Sequence, residues 1–189
     1  GMQIFLPAVP VIKETFEVSN DIAQLTLSLS MLAIAFGTLF YGPLSDKYGR
    51  RPIMFLGIAI TIIGSIFCWL ADSITWLIVG RFIQAFGGAV GLVLARAIVR
   101  DVYGAEEAAR VIATLVMVMV VVPMLSPALG GELLDRFGWE SAFVVVAIAS
   151  AIIFVLLIPG LPETLNDPVP FEGIGSMLKT FLSLFESRA

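Results

Sequence analysis

Four stretches of this chain, residues 22–45, 53–71, 111–131 and 141–162, contain no charged side chain at all. A helix needs about 20 apolar residues to cross the hydrocarbon of a bilayer, and each stretch is close to that length. A fifth, residues 75–99, is similarly apolar but is interrupted by Arg81 and Arg96. With 59% hydrophobic and 14% charged residues over 189 positions, the chain also lacks the polar surface a soluble domain requires. The expectation is an all-α membrane protein, because a spanning helix satisfies its own backbone amides and carbonyls where water cannot.

Several functions are excluded by what the chain lacks. It has no histidine, which removes a serine–histidine triad, a histidine base and the usual zinc ligands. No nucleophile and base pair is visible, so an enzyme is not expected. The one cysteine, Cys68, lies within an apolar span and reads as a packing residue. A net charge of −4 without a basic patch gives no nucleic-acid footprint. Neither a metal nor a cofactor is expected.

The spans order themselves as a partial helix 1 ending near Thr15, then helix 2 (about 20–44), helix 3 (52–71), helix 4 (75–101), helix 5 (106–134) and helix 6 (139–160). Residues 1–11 are apolar but lack the charged start and small-residue cleavage site of a signal peptide, and read as the end of a truncated first helix. Lys47, Arg50, Arg51, Arg100, Arg110, Lys179 and Arg188 flank one membrane face, whereas Lys13 and Arg136 flank the other. The positive-inside rule puts the Lys47 face in the cytoplasm. Residues 1–162 form the transmembrane bundle on this reading. Residues 163–189 form a cytoplasmic linker, in which Met177, Leu178, Phe181, Leu182 and Phe185 recur at helical spacing and suit the membrane surface.

An internal repeat carries the functional argument. Gly42-x-Leu44-x-Asp46-Lys47-Tyr48-Gly49 recurs as Gly131-x-Leu133-x-Asp135-Arg136-Phe137-Gly138. One copy joins helices 2 and 3 and the other joins helices 5 and 6, so the two face opposite sides of the membrane. That is an inverted three-plus-three repeat, the pattern of secondary transporters that open alternately about a midplane site. The alternative is that Gly-x-Leu-x-Asp is merely a loop-friendly pattern.

Within the first copy, Gly42 would admit a neighbouring helix, Gly49 a tight reversal, and Asp46 would accept hydrogen bonds from arginine or a helix N-terminus. Arg50 and Arg51 would anchor the turn, with Asp101 on the same membrane face as a partner for one of them. The set would form a breakable cytoplasmic latch, or serve topology alone. Arg81 lies inside an apolar helix, where an unpaired charge costs about 3 kcal/mol or more, and should face a cavity. Gln84 is one turn further on the same face. Snorkelling towards the outer surface is the other reading of Arg81, and is the favoured one for Arg96. Gly87-x-x-x-Gly91 has the spacing of close helix packing. Helix 5 carries Pro123 and Pro127, followed by Gly130 and Gly131, and should bend there.

Together these segments resemble the major facilitator superfamily, and within it the bicyclomycin-resistance and chloramphenicol-efflux (Bcr/CflA) branch of drug exporters. Gly42-Pro43-Leu44-Ser45-Asp46-Lys47-Tyr48-Gly49-Arg50-Arg51 is similar to the superfamily's helix 2–3 motif, and Arg81-Phe82-Ile83-Gln84-Ala85-Phe86-Gly87-Gly88 to its helix 4 motif. The segment Pro123-Met124-Leu125-Ser126-Pro127-Ala128-Leu129-Gly130-Gly131 looks like the helix 5 motif of antiporters, with Ser126 where glycine is common. Ala95-Arg96-Ala97-Ile98-Val99-Arg100-Asp101 and Pro162-Glu163-Thr164 look like features of the branch.

The resemblance implies the six-helix N-terminal half of a major facilitator fold with a truncated helix 1. It implies export of small amphipathic compounds in exchange for protons, with Arg81, Gln84 and Gln3 on the path; Gln3 stands where many such exporters have an acid. Glu132 is an acid close behind an unbroken apolar run. The implied partners are the bilayer, the substrate, protons and a missing C-terminal six-helix half. An uptake symporter and a non-transporting membrane interaction module are the alternatives.

Overall fold

The computed structural model describes residues 8–165. Gln3 and the amphipathic stretch that begins at Phe171 lie outside the described residues. The helices are α1 (Val9–Thr15), α2 (Asn20–Tyr48), α3 (Arg50–Trp69), α4 (Ile74–Gly104), α5 (Glu107–Phe137) and α6 (Ser141–Gly160). From α2 to α6, each is long and apolar enough to cross a membrane. The fold is that of an all-α membrane protein.

Helix boundaries follow local chemistry. Ser19 and Ser73 accept hydrogen bonds from the amides of Ile22 and Trp76, both at 3.4 Å, and so cap α2 and α4. Gly49 and Gly138, the last residues of the two repeat copies, both take positive φ, at 100° and 81°. Their ψ values are extended in both cases, and each amide closes the preceding helix on the carbonyl four residues back, Ser45 or Leu134. The repeat therefore reproduces a backbone conformation as well as a string of residues. Between α4 and α5 the chain stays helical except at Gly104, with φ 68° and ψ −177°. The departure from helical dihedrals within that run falls at this junction, while Pro123 and Pro127 lie inside α5.

Packing in lipid depends on close fit, since lipid tails are as apolar as the side chains they would replace. Helix α4 lies centrally against α2 and α3. A Cβ on Gly87 would stand 2.5 Å from the amide nitrogen of Thr61 and 2.7 Å from the carbonyl oxygen of Gly57. A Cβ on Gly64 would collide with the backbone of Gln84, so α3 and α4 touch main chain to main chain. Two expectations are corrected here. The close approach of α2 to α4 is made by Gly37, whose Cβ would lie 2.6 Å from that of Ala89, while Gly42 meets only Val93 at ordinary contact distance. Gly91 has nothing within 4 Å of its Cβ position, so the seam uses Gly87 without its spaced partner.

Two apolar clusters hold the ends of the bundle. Tyr41, Ile53, Met54, Ile58, Val90 and Leu94 pack towards the Gly49 end. Ala8, Ile12, Cys68, Leu77, Trp139 and Phe143 pack at the other, drawing α1, α3, α4 and α6 together. Helix α5 is the least covered span; Met117 and Met124 are 71% and 74% exposed.

Candidate functional site

Polar side chains gather at two levels. Inside the membrane, Arg81 is only 3% exposed, so its guanidinium turns into the bundle and does not snorkel to the surface. Its Nη1 donates to Oε1 of Gln84 at 2.9 Å, and its charge lies 5.8 Å from the centre of the Phe143 ring. Gln84 Nε2 donates in turn to Ser65 Oγ at 2.8 Å, and Ser65 donates to the carbonyl of Thr61 at 2.8 Å. Spacing alone places Gln84 beside Arg81. The contribution of Ser65 was not visible in the sequence, because it depends on how α3 is rotated against α4.

The second group lies at one end of the bundle, around the first repeat copy. Arg50 is buried, and it makes ion pairs with Asp46, one turn before it, and with Asp101 at the end of α4, the latter through Nε at 2.9 Å. Its Nη1 also donates to Ser45 Oγ at 2.6 Å. The fork of the guanidinium thus ties α2, α3 and α4 together through charge-assisted bonds. Arg51 donates to the carbonyl of Ile158 at 3.0 Å and so engages the last turn of α6.

Glu163 completes this group. Helix α3 starts at Gly49, which has no side chain to cap it, and four amides at such a start lack partners within the helix. Glu163, just beyond α6, accepts from the amides of Arg50 at 2.8 Å and Arg51 at 3.1 Å, placing a carboxylate on the positive end of the α3 dipole. A Cβ on Gly49 would strike that carboxylate. Burial pushes the Glu163 carboxyl up, but hydrogen bonds from the amides of Leu165, Arg50, Arg51 and Thr164 outweigh it and hold the group below its ordinary 4.5. The readable signal was a helix beginning Gly-Arg-Arg-Pro with no capping side chain of its own.

Beside this group a cavity of about 510 Å³ opens between α2, α4 and α5, lined by Gly42, Asp46, Arg50, Arg96, Arg100 and Ala108 among others. Pro123, Pro127, Gly130 and Gly131 sit along α5 and take no part in either hydrogen-bonded group; Pro123 and Pro127 are half-buried and Gly130 is buried. Glu132 lies at the surface in an ion pair with Arg136. No set of side chains among the described residues is arranged to hold a metal.

The family model for the Major Facilitator Superfamily matches residues 1–189. A transporter of Bacillus subtilis, the uncharacterized MFS-type transporter YdgK, is 35% identical over 193 positions, which cover 100% of this chain and 48% of the relative. The bicyclomycin resistance protein homolog of Haemophilus influenzae is 30% identical, again over 100% of this chain and 48% of the relative. Multidrug resistance protein MdtL of Escherichia coli is 31% identical over 96% of this chain and 48% of its own length. The chain spans about half the length of the curated relatives it matches, and corresponds to the N-terminal half of such a transporter. On the match along its whole length, the chain belongs to the major facilitator superfamily.

Proposed function

We propose that this half belongs to a proton-coupled exporter of small amphipathic compounds in the bacterial inner membrane. The observation that carries the reading is Arg81. A guanidinium that is 3% exposed within a span of otherwise apolar side chains is a costly feature, and such residues generally serve a substrate or ion path. Its place beside Gln84 and Phe143 gives a cation, an amide and an aromatic face at one level of the bundle. The antiporter-like segment of α5 and the drug-resistance names of two relatives favour export over uptake.

In this reading the Arg50 group is the cytoplasmic latch. Asp46, Arg50, Asp101 and Glu163 join the starts and ends of four helices through polar bonds, which can be exchanged with a second six-helix half as the cavity changes sides. Glu163 stays ionised across the physiological range, so it holds the latch and carries no proton.

The decisive experiment replaces Arg81 by alanine in the full-length protein and follows ethidium uptake into everted vesicles under an imposed pH gradient. The exporter reading expects gradient-driven uptake by the wild type and none by R81A, at equal amounts in the membrane. Unchanged transport by R81A, or ethidium moving in the opposite direction in the wild type, would defeat it.

A further inference from the structure

We propose that Ser65, which belongs to none of the motifs in this chain, is a positioning residue for the transport site: it holds the Gln84 amide so that its oxygen, and not its nitrogen, faces Arg81. The inference rests on the reading of Arg81 given above.

The argument is one of hydrogen accounting. A serine hydroxyl has one hydrogen and two lone pairs. The Ser65 hydrogen is committed to the Thr61 carbonyl at 2.8 Å, so towards Gln84 the oxygen can only accept. Gln84 must therefore offer its Nε2, which lies 2.8 Å away, and its Oε1 is left pointing at Arg81. A guanidinium has donors alone, so both neighbours of Gln84 demand the same orientation, and the chain from Arg81 through Gln84 and Ser65 to Thr61 runs in one direction. Bonds aligned in this way polarise and strengthen one another. All four residues are buried or nearly so; Ser65 is 0% and Gln84 5% exposed.

Tertiary contact makes this short reach possible. Gly64 brings the α3 backbone against that of Gln84, and a side chain of two heavy atoms then spans the seam. Thr61 follows the same i−4 habit as Ser65, donating to Gly57 at 2.9 Å, so this face of α3 presents oxygen acceptors towards α4. The consequence is that Arg81 meets a fixed carbonyl-type acceptor at the transport site. Without Ser65 the buried amide nitrogen loses its acceptor, and the bond from Arg81 alone is left to orient Gln84, so the acceptor is held less firmly at the transport site.

A packing role and a positioning role predict opposite results in the full-length protein. If Ser65 serves only to be small, S65A is active and S65T, with an added methyl in a tight seam, is impaired. If it serves as acceptor, S65A loses about tenfold in ethidium transport rate at equal membrane abundance, and S65T, which keeps the hydroxyl, recovers most of it. Wild-type transport by S65A, or S65T no better than S65A, overturns the proposal. Should S65A insert poorly, S65T against the isosteric S65V decides the matter: equal activity of that pair overturns it, and activity confined to S65T supports it. In a Q84L background the hydroxyl has nothing to hold, so adding S65A should cause no further loss; a full additional loss overturns the proposal. Failure here is separable from failure of the exporter reading, since an inactive R81A with an unaffected S65A removes Ser65 alone.

Discussion

The two copies of the repeated loop share a backbone and differ in what holds them. Each ends in a glycine with positive φ, and the residue after it is buried: Arg50 at 4% exposure in one copy, Trp139 at 6% in the other. Arg50 is held by carboxylates on α2 and α4. Trp139 packs by edge contacts against Phe16 at 5.6 Å and Phe143 at 6.0 Å. The carboxylate nearest the glycine comes from Glu163, far away in the chain, in the first copy, and from Glu140, two residues on, in the second. One conformation thus supports a polar clasp at the Gly49 end and an apolar plug at the Gly138 end. Polar partners can be exchanged for others of equal kind during a conformational change, whereas a buried indole has no equal substitute outside the bundle.

Three substitutions test this contrast. The largest effect is expected of Trp139→Ala, because it empties an aromatic-sized volume; a loss of about 3–5 kcal/mol, seen as a lower thermal midpoint in detergent, is the outcome. A much smaller loss would show that the plug is not what holds that end. Asp101→Asn should cost about 2–3 kcal/mol, at the low end for a buried pair because Asp101 is 20% exposed and Asp46 still faces Arg50. Its control is Glu132→Ala, which breaks the exposed pair with Arg136 and should cost under about 0.5 kcal/mol. Equal losses in the two would erase the difference between the loops.

Glu163→Gln is expected to have a smaller effect than Asp101→Asn, about 1 kcal/mol, since it keeps an acceptor at the start of α3 but removes the charge. Its pH dependence carries a sign. The folded carboxyl lies below its ordinary value, so the charge stabilises fully above that value and the contribution is lost as pH falls through the lowered one. The gap in thermal midpoint between wild type and E163Q should therefore stay constant at neutral pH and narrow as the pH falls below the ordinary 4.5. A gap that widens on acidification would mean that the cap is not ionic.

Much of this molecule could be read without coordinates where the controlling interaction is short in sequence. The glycine at each loop end, the serine before α4 and the Arg81–Gln84 pair all act within one or two helical turns, and local residue chemistry suffices for them. The clasp was legible in part: Asp46 and Asp101 were identified as acceptors for arginine, whereas the role of Glu163 was not. Its bonds to the amides of Arg50 and Arg51 close more than a hundred residues of chain. The packing glycines were harder still, and Gly42 and Gly91 proved to be the wrong ones because their Cβ positions face ordinary or empty space.

What the sequence by itself determined is the number and order of spans and the inverted repeat, because bilayer thickness and the cost of burying charge act on any apolar run whatever its neighbours. What only the tertiary structure decided is which face of each span meets which other. A membrane helix is apolar towards lipid and towards protein alike, so hydrophobicity cannot distinguish its sides. That rotation is what turns Arg81 inward, brings Ser65 to Gln84 through the gap at Gly64, and sets Glu163 on the open start of α3.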